Sequence, residues 1–254
     1  MKTDNVLRAW GSILQGRRPA LSIEITRECP LRCPGCYAYE EGHLGAAGPL
    51  RSLADYRGEA LIEGVLNLVR AERPLHVSIV GGEPLVRTDL TDIVRGMTTL
   101  PGVEHVGIST NGTKLAALAQ PLRDAGAGTV NVSLDALDPE VYRRVTGGDV
   151  KQVIAGIRAA VAAKFECVKL NAVLMRGVNE GEIWPLVLFA AEHGLPLRLI
   201  ELMPITSTDV LTEKNFMSVE DAMALLRQKD ELIPQPDWRL GFGPAKYYLL
   251  KHTG

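Results

Sequence analysis

The sequence predicts an α/β fold, a partial (β/α)6 TIM-like barrel, on three observations. Short β-branched runs alternate with longer helix-period runs six times. Such alternation builds a parallel sheet through right-handed crossovers, and six units close only part of the eight-unit barrel. The residues a core would not need gather just after the strands, at the edge where these folds place their chemistry.

Each element follows from its own pattern. The run LSIEI (21–25) is the first strand and leads into a cysteine loop. A helix is expected over about 53–71, with Leu53, Leu61, Val65, Leu66 and Val69 on one side. HVSIV (76–80) is the second strand and ends at Gly81-Gly82-Glu83-Pro84, after which helix signals cover about 89–98. HVGIS (105–109) runs into Thr110-Asn111-Gly112, helix follows near 113–124, and TVNVSL (129–134) is the fourth strand. Asp138 is placed to cap a helix with Pro139 at its first position, and an Ala-rich helix covers about 150–164. CVKLNAVLM (167–175), a helix over 180–193 and LRLIEL (197–202) complete the six units. Beyond about 205, Ser218 caps an expected helix over 219–229, and Pro234, Pro236 and Pro244 break up the rest. No second domain is signalled. Residues 1–254 read as one domain, with the barrel core at about 20–204 and a C-terminal extension over 205–254.

Composition narrows the class. The chain has 254 residues, 46% hydrophobic and 23% charged, which suits a soluble domain with a sizeable core. A net charge of −2 gives no global basic field to draw nucleic acid or a membrane surface. No apolar run approaches ~18 residues, and the start MKTDNVLRAWGS has no signal-peptide pattern, so a cytoplasmic location is expected.

Three of the four cysteines crowd into ITRECPLRCPGCYAYE (25–40): Cys29, Cys33 and Cys36. A disulfide scaffold would have more cysteines, spread more evenly. In a reducing compartment clustered thiols point to metal. Three thiolates on one tight loop can grip three corners of a four-iron, four-sulfur cube and leave the fourth iron open for chemistry. On the loop alone two other readings stay open: zinc with His43 as fourth ligand, or unrelated thiols.

The cysteine loop after the first strand and GGEP after the second resemble the radical S-adenosylmethionine (SAM) superfamily. The resemblance implies the partial barrel of the radical SAM type. It implies that Cys29, Cys33 and Cys36 hold a [4Fe–4S] cluster whose open iron chelates SAM. One electron then splits SAM into methionine and a 5′-deoxyadenosyl radical, which takes a hydrogen atom from the substrate. Backbone groups at Gly81, Gly82 and Glu83 would bind the SAM amino group. Glycines let a backbone approach a ligand closely, and Glu83 brings negative charge to an ammonium. A plain Gly-Gly turn is the other reading.

Further stretches run in order: STNGT (109–113), VSLDALDPEVYRRVTGG (132–148), VKLNAVLMRGVNEGEI (168–183), LRLIELMPI (197–205) and GPAKYY (243–248). Together, over roughly residues 20–250, they are similar to the GTP 3′,8-cyclase family of molybdenum cofactor biosynthesis. The similarity implies a GTP-binding lyase served by a reducing electron donor such as a flavodoxin or ferredoxin. It sets Thr110 and Ser133 against the ribose and methionine portions of SAM, and Met203 against its adenine. Ser133 as a strand-end hydroxyl and Met203 as core packing are the alternatives.

A triphosphate calls for converging Arg and Lys. Lys169 and Arg198 answer to this, as cations inside otherwise apolar strands where an unpaired charge is costly. Both are candidate substrate contacts, with pairing to Glu201 or another wall carboxylate as the equal alternative. Ser22, His76 and Ser78 stand where the family has basic residues, Arg27 is one position off its pattern, and Arg87 matches it. No cysteine follows Cys167, so these residues contain no second three-cysteine cluster of the kind the family uses for guanine, and Cys167 reads as a small core residue. The expectation is a radical SAM enzyme acting on GTP. Three alternatives stand beside it: a different small-molecule or peptide substrate, a non-catalytic metal-binding protein, and methyl transfer from SAM by direct displacement. The last would leave the three thiols unexplained.

Overall fold

A computed structural model gives the architecture, described here for residues 16–34, 36, 57–203, 213–238, 240 and 245–253. Six strands form one sheet in sequential order: β1 (Ala20–Glu24), β2 (His76–Val80), β3 (His105–Thr110), β4 (Thr129–Ser133), β5 (Cys167–Leu174) and β6 (Leu197–Glu201). Every neighbouring pair is parallel, and among the described residues β1 and β6 form no pair with each other. Helices fill the crossovers: α1 (Gly58–Glu72), α2 (Leu90–Thr98), α3 (Leu115–Asp124), α4 (Pro139–Thr146), α5 (Val150–Ala162) and α6 (Ile183–Glu192), with α7 (Val219–Arg227) after β6. The expected fold class is the observed one.

Local chemistry explains the boundaries. Asp138 accepts from the backbone N–H of Glu140 and Val141, both at 2.9 Å, and so starts α4 with Pro139 in its first turn. Gly147, at φ +73°, ends α4, and Asp149 then caps α5 through the N–H of Lys151. Ser218 and Asp221 form a reciprocal capping box on α7. In α1, Val65 and Val69 are buried and Leu61 and Leu66 pack beside them, as the sequence pattern requires; Leu53 lies outside the described residues.

The tail holds an element the sequence did not signal. β7 (Leu232–Pro234) pairs antiparallel with β8 (Tyr248–Leu250). Asp230 fastens the end of the chain by accepting from the Thr253 hydroxyl at 2.7 Å and from the N–H groups of His252 and Thr253. No described helix is long and apolar enough to cross a membrane.

The two faces of the sheet differ, and this positions the site. Val77, Ile79, Val106, Ile108, Val130, Val132, Val168 and Leu170 face the helices and are buried in one core. Each such side chain contributes about 1.5–3 kcal/mol by burial. Parallel sheets usually bury apolar residues on both faces. Here the opposite, inner face is polar. Register aligns Ser22, Ser78, Gly107, Thr129 and Cys167 in one row, Ser109, Asn131 and Lys169 in the next, and Ser133, Asn171 and Arg198 in a third. A sheet that keeps one face hydrophilic inside a barrel has something polar to bind there.

Candidate functional site

The parallel order puts the C-terminal ends of all six strands at one edge, and the cysteine loop leaves β1 there. The loop is held against two neighbours. Toward α4, Arg32 N–H donates to Thr146 O at 3.1 Å and Cys33 Sγ lies 3.9 Å from the same carbonyl oxygen. The Arg32 guanidinium also reaches the carbonyls of Cys29 and Leu31. Within the loop, Cys36 N–H donates to Cys33 O at 3.1 Å.

Toward β2, the segment Thr26–Glu28 meets the Gly81-Gly82-Glu83 turn. Gly82 N–H donates to Thr26 O at 2.8 Å and Glu83 N–H to Glu28 O at 2.7 Å. A Cβ on Gly81 would stand 2.5 Å from Thr26 O, and one on Gly82 would stand 2.5 Å from Glu28 O. Gly81 also sits at φ +150°. Here the glycines admit the protein's own chain, seating the segment that leads into Cys29.

Glu83 is fully buried. Its Oε1 accepts from the Thr110 hydroxyl at 2.6 Å and Leu85 N–H at 3.0 Å, and its Oε2 accepts from Asn111 N–H at 2.6 Å. Burial pushes its carboxyl above the usual range, and the three donors pull it back. Thr110 is buried too, with its hydroxyl oxygen accepting from Gly112 N–H at 2.9 Å. In this structure the two side chains face each other and lock the end of β2 to the end of β3.

From that lock Asn111 reaches the thiols. Its side-chain amide lies 3.6 Å from Cys29 Sγ. The sequence alone, with Asn111 inside STNGT, assigns it no role. The Asn-Gly-Thr order is an Asx-turn signal, and the turn aims the amide, but its target lies 82 positions away.

The three thiols feel one another. Burial, then Cys36, Asp135 and Cys29, push the Cys33 thiol up to about 12. All three are partly buried and none is in a disulfide. Asp135, just beyond β4, is raised to about 6 by burial against one donated bond, Val173 N–H at 2.8 Å. Among the described residues no three His, Cys, Asp or Glu side chains are gathered around a single-ion site. A cube takes each thiolate on a different iron, so its ligands need not share one point. His43 lies outside the described residues.

Lys169 and Arg198 come together on the inner face. Arg198 donates to Asn171 Oδ1 at 2.8 Å and Asn131 Oδ1 at 3.1 Å. Burial lowers the Lys169 ammonium, with nearby Cys167 opposing and Arg198 reinforcing. Pairing with Glu201 is not what occurs, because Glu201 instead accepts from Val219 N–H at 2.8 Å and caps α7. Arg198 is thus held by neutral amides, with the Lys169 ammonium near enough to feel its charge. Cys167 begins β5, at the far end from the thiol loop. Ser133 is exposed at the end of β4, and Met203 is 60% exposed rather than core packing. Arg87 is buried, bidentate to Asp89 at 2.8 Å and bonded to Ile25 O.

Comparison with known proteins places this geometry. The sequence model of the Radical SAM superfamily matches residues 23–190. GTP 3′,8-cyclase of Limosilactobacillus fermentum is 37% identical over 91% of this chain and 68% of its own length. GTP 3′,8-cyclase 1 of Pseudomonas aeruginosa is 36% identical over 93% of this chain and 70% of its own. Among solved structures, Streptococcus suis SuiB bound to S-adenosylmethionine superposes with TM-score 0.60 at 18% identity, covering 89% of this chain and 51% of that one. Methylornithine synthase superposes with TM-score 0.57 at 18% identity, covering 89% and 69%. This chain belongs to the radical SAM superfamily, as an enzyme that resembles the GTP 3′,8-cyclases and has a [4Fe–4S] cluster and S-adenosylmethionine as its cofactors.

Proposed function

We propose that Cys29, Cys33 and Cys36 hold the cluster and that an anionic small molecule, GTP or a close relative of it, is the substrate. The donor set suits the group. Three partly buried thiols sit on one loop, near enough for their charges to interact, at the open edge of a polar barrel. Bound there, the cluster supplies the electron that splits SAM into methionine and a 5′-deoxyadenosyl radical. Cys167 stands apart from that role at the other end of its strand.

The residues around the thiols support a seat for SAM beside them. The N–H groups of the Gly82-Glu83 turn are taken by Thr26 and Glu28, so its carbonyl side is the one to accept from an ammonium. Glu83 and Thr110 act through the backbone they hold. Ser133, exposed at the end of β4, and Met203, exposed beyond β6, stand at the edge where a nucleoside would rest.

Lys169 and Arg198 carry the substrate reading. Neither has a carboxylate partner among the described residues, and an anion would relieve their mutual repulsion. The inner positions of β1 to β3 bring no Lys or Arg, with Ser22, Ser78 and Ser109 among them and Glu24 adding a carboxylate, which favours a ligand whose negative charge lies toward β5 and β6. The reductant we infer is a small electron carrier such as a flavodoxin or ferredoxin. It would approach the loop from outside, where Leu31, Lys114 and Arg143 line a hollow of about 430 Å³. Low-potential donors and reduced thiols belong to the cytoplasm.

GTP binding by protein loaded with cluster and SAM tests the substrate. Saturable binding that is lost in Lys169→Met and in Arg198→Met supports it. Absence of binding at millimolar nucleotide removes GTP while leaving SAM cleavage untouched.

A further inference from the structure

We infer that Asn111 is a positioning residue of the cluster site: its amide N–H, donated to Cys29 Sγ, raises the potential at which a cluster bound there accepts its electron. The inference rests on the reading that Cys29 is a ligand.

The amide is aimed from both ends. Its Oδ1 accepts from Thr113 N–H at 3.0 Å and from the Thr113 hydroxyl at 2.7 Å. A backbone N–H can only donate, so the oxygen must face Thr113 and the NH2 group must face away from it. Facing away is where Cys29 lies, with Sγ 3.6 Å from Nδ2. The backbone of Asn111 is equally fixed. Its N–H is held at 2.6 Å by Glu83, which has no exposure at all, and the adjoining Gly112 N–H is held by Thr110 Oγ1. Four bonds thus orient one amide toward one sulfur. A turn that merely ended β3 would need no such aim.

The electrostatic consequence has a definite sign. Reduction adds a negative charge that spreads onto the cysteine sulfurs. A fixed N–H dipole pointing at one sulfur stabilises the reduced form more than the oxidised form. In a partly buried site little water is present to replace the lost dipole. Removing the donor therefore makes reduction harder, and loosening its aim does the same to a lesser degree.

The test is an anaerobic redox titration of the reconstituted protein, followed by the electron paramagnetic resonance of the reduced cluster, with iron content measured alongside. Asn111→Ala should retain iron and show a midpoint potential more negative than wild type. Thr113→Val keeps the amide but removes one of its two anchors, and should shift the potential the same way by less. If Asn111→Ala fails to retain iron, Thr113→Val carries the test alone. Both variants titrating with wild type would overturn the inference. Iron retained in full by Cys29→Ala would instead show that Cys29 is no ligand, and both the ligand reading and this inference would fall.

Discussion

Glu83→Gln is the sharpest structural test of the site. The carboxylate is fully buried, and two of its three partners, Leu85 N–H on Oε1 and Asn111 N–H on Oε2, can only donate. Glutamine offers one oxygen and one NH2 group. With its oxygen toward Leu85 it orphans Asn111 N–H; turned over, it orphans Leu85 N–H. Thr110 can rotate its hydroxyl to suit either orientation, so it gives no escape. One buried donor is unsatisfied in each case and faces another donor, at a cost of about 1–3 kcal/mol. Removing the buried charge offsets part of this, so we expect a loss of about 2 kcal/mol, or roughly 4–8 °C in the melting temperature of a chain this size. Glu83→Ala strands all three donors and should lose more. Urea unfolding of the metal-free proteins, followed by circular dichroism at pH 8, reads the order. Equal or greater stability of Glu83→Gln would refute the picture of Glu83 as a triply engaged lock.

Other outcomes follow from the same geometry. Gly82→Ala places a Cβ 2.5 Å from Glu28 O, which should cost about 1–3 kcal/mol and, by displacing the segment before Cys29, lower the iron retained on reconstitution. Asp135 binds its proton more tightly folded than unfolded, so its contribution is largest below pH 3.8 and is lost as pH rises to about 6. Asp135→Asn keeps an acceptor for Val173 N–H, and its stability relative to wild type should grow across that window by about 1–3 kcal/mol and then level off, as melts against pH will read. Lys169→Met removes a buried cation without a carboxylate partner among the described residues. It should stabilise the ligand-free protein by on the order of 1 kcal/mol, seen in urea unfolding, while weakening binding of inorganic phosphate and tripolyphosphate.

Much of the frame is legible in the sequence because each element carries its own cue. Alternation of β-branched and helix-period runs gives six units, and Asp138-Pro139 and Ser218 mark helix starts where they occur. The β7–β8 pair is hidden because its strands are three residues long and one ends on a proline. The thiols are legible because their spacing is local. What holds them is not. Asn111 meets Cys29 across 82 positions, and Arg198 takes its partners from β4 and β5 rather than from Glu201 on its own strand. Such choices depend on register, which a single strand does not encode. The Gly-Gly pair shows the same limit: its presence signals a close approach, but only the fold shows that the chain approached is residues 26–28.

The most direct measurement is production of 5′-deoxyadenosine from SAM by anaerobically reconstituted protein reduced with dithionite. The account predicts a brown protein with the iron content of one [4Fe–4S] cluster, product from wild type and Cys167→Ala, and none from Cys29→Ala, Cys33→Ala or Cys36→Ala. Zinc uptake without iron, or undiminished product from any of those three variants, would contradict it.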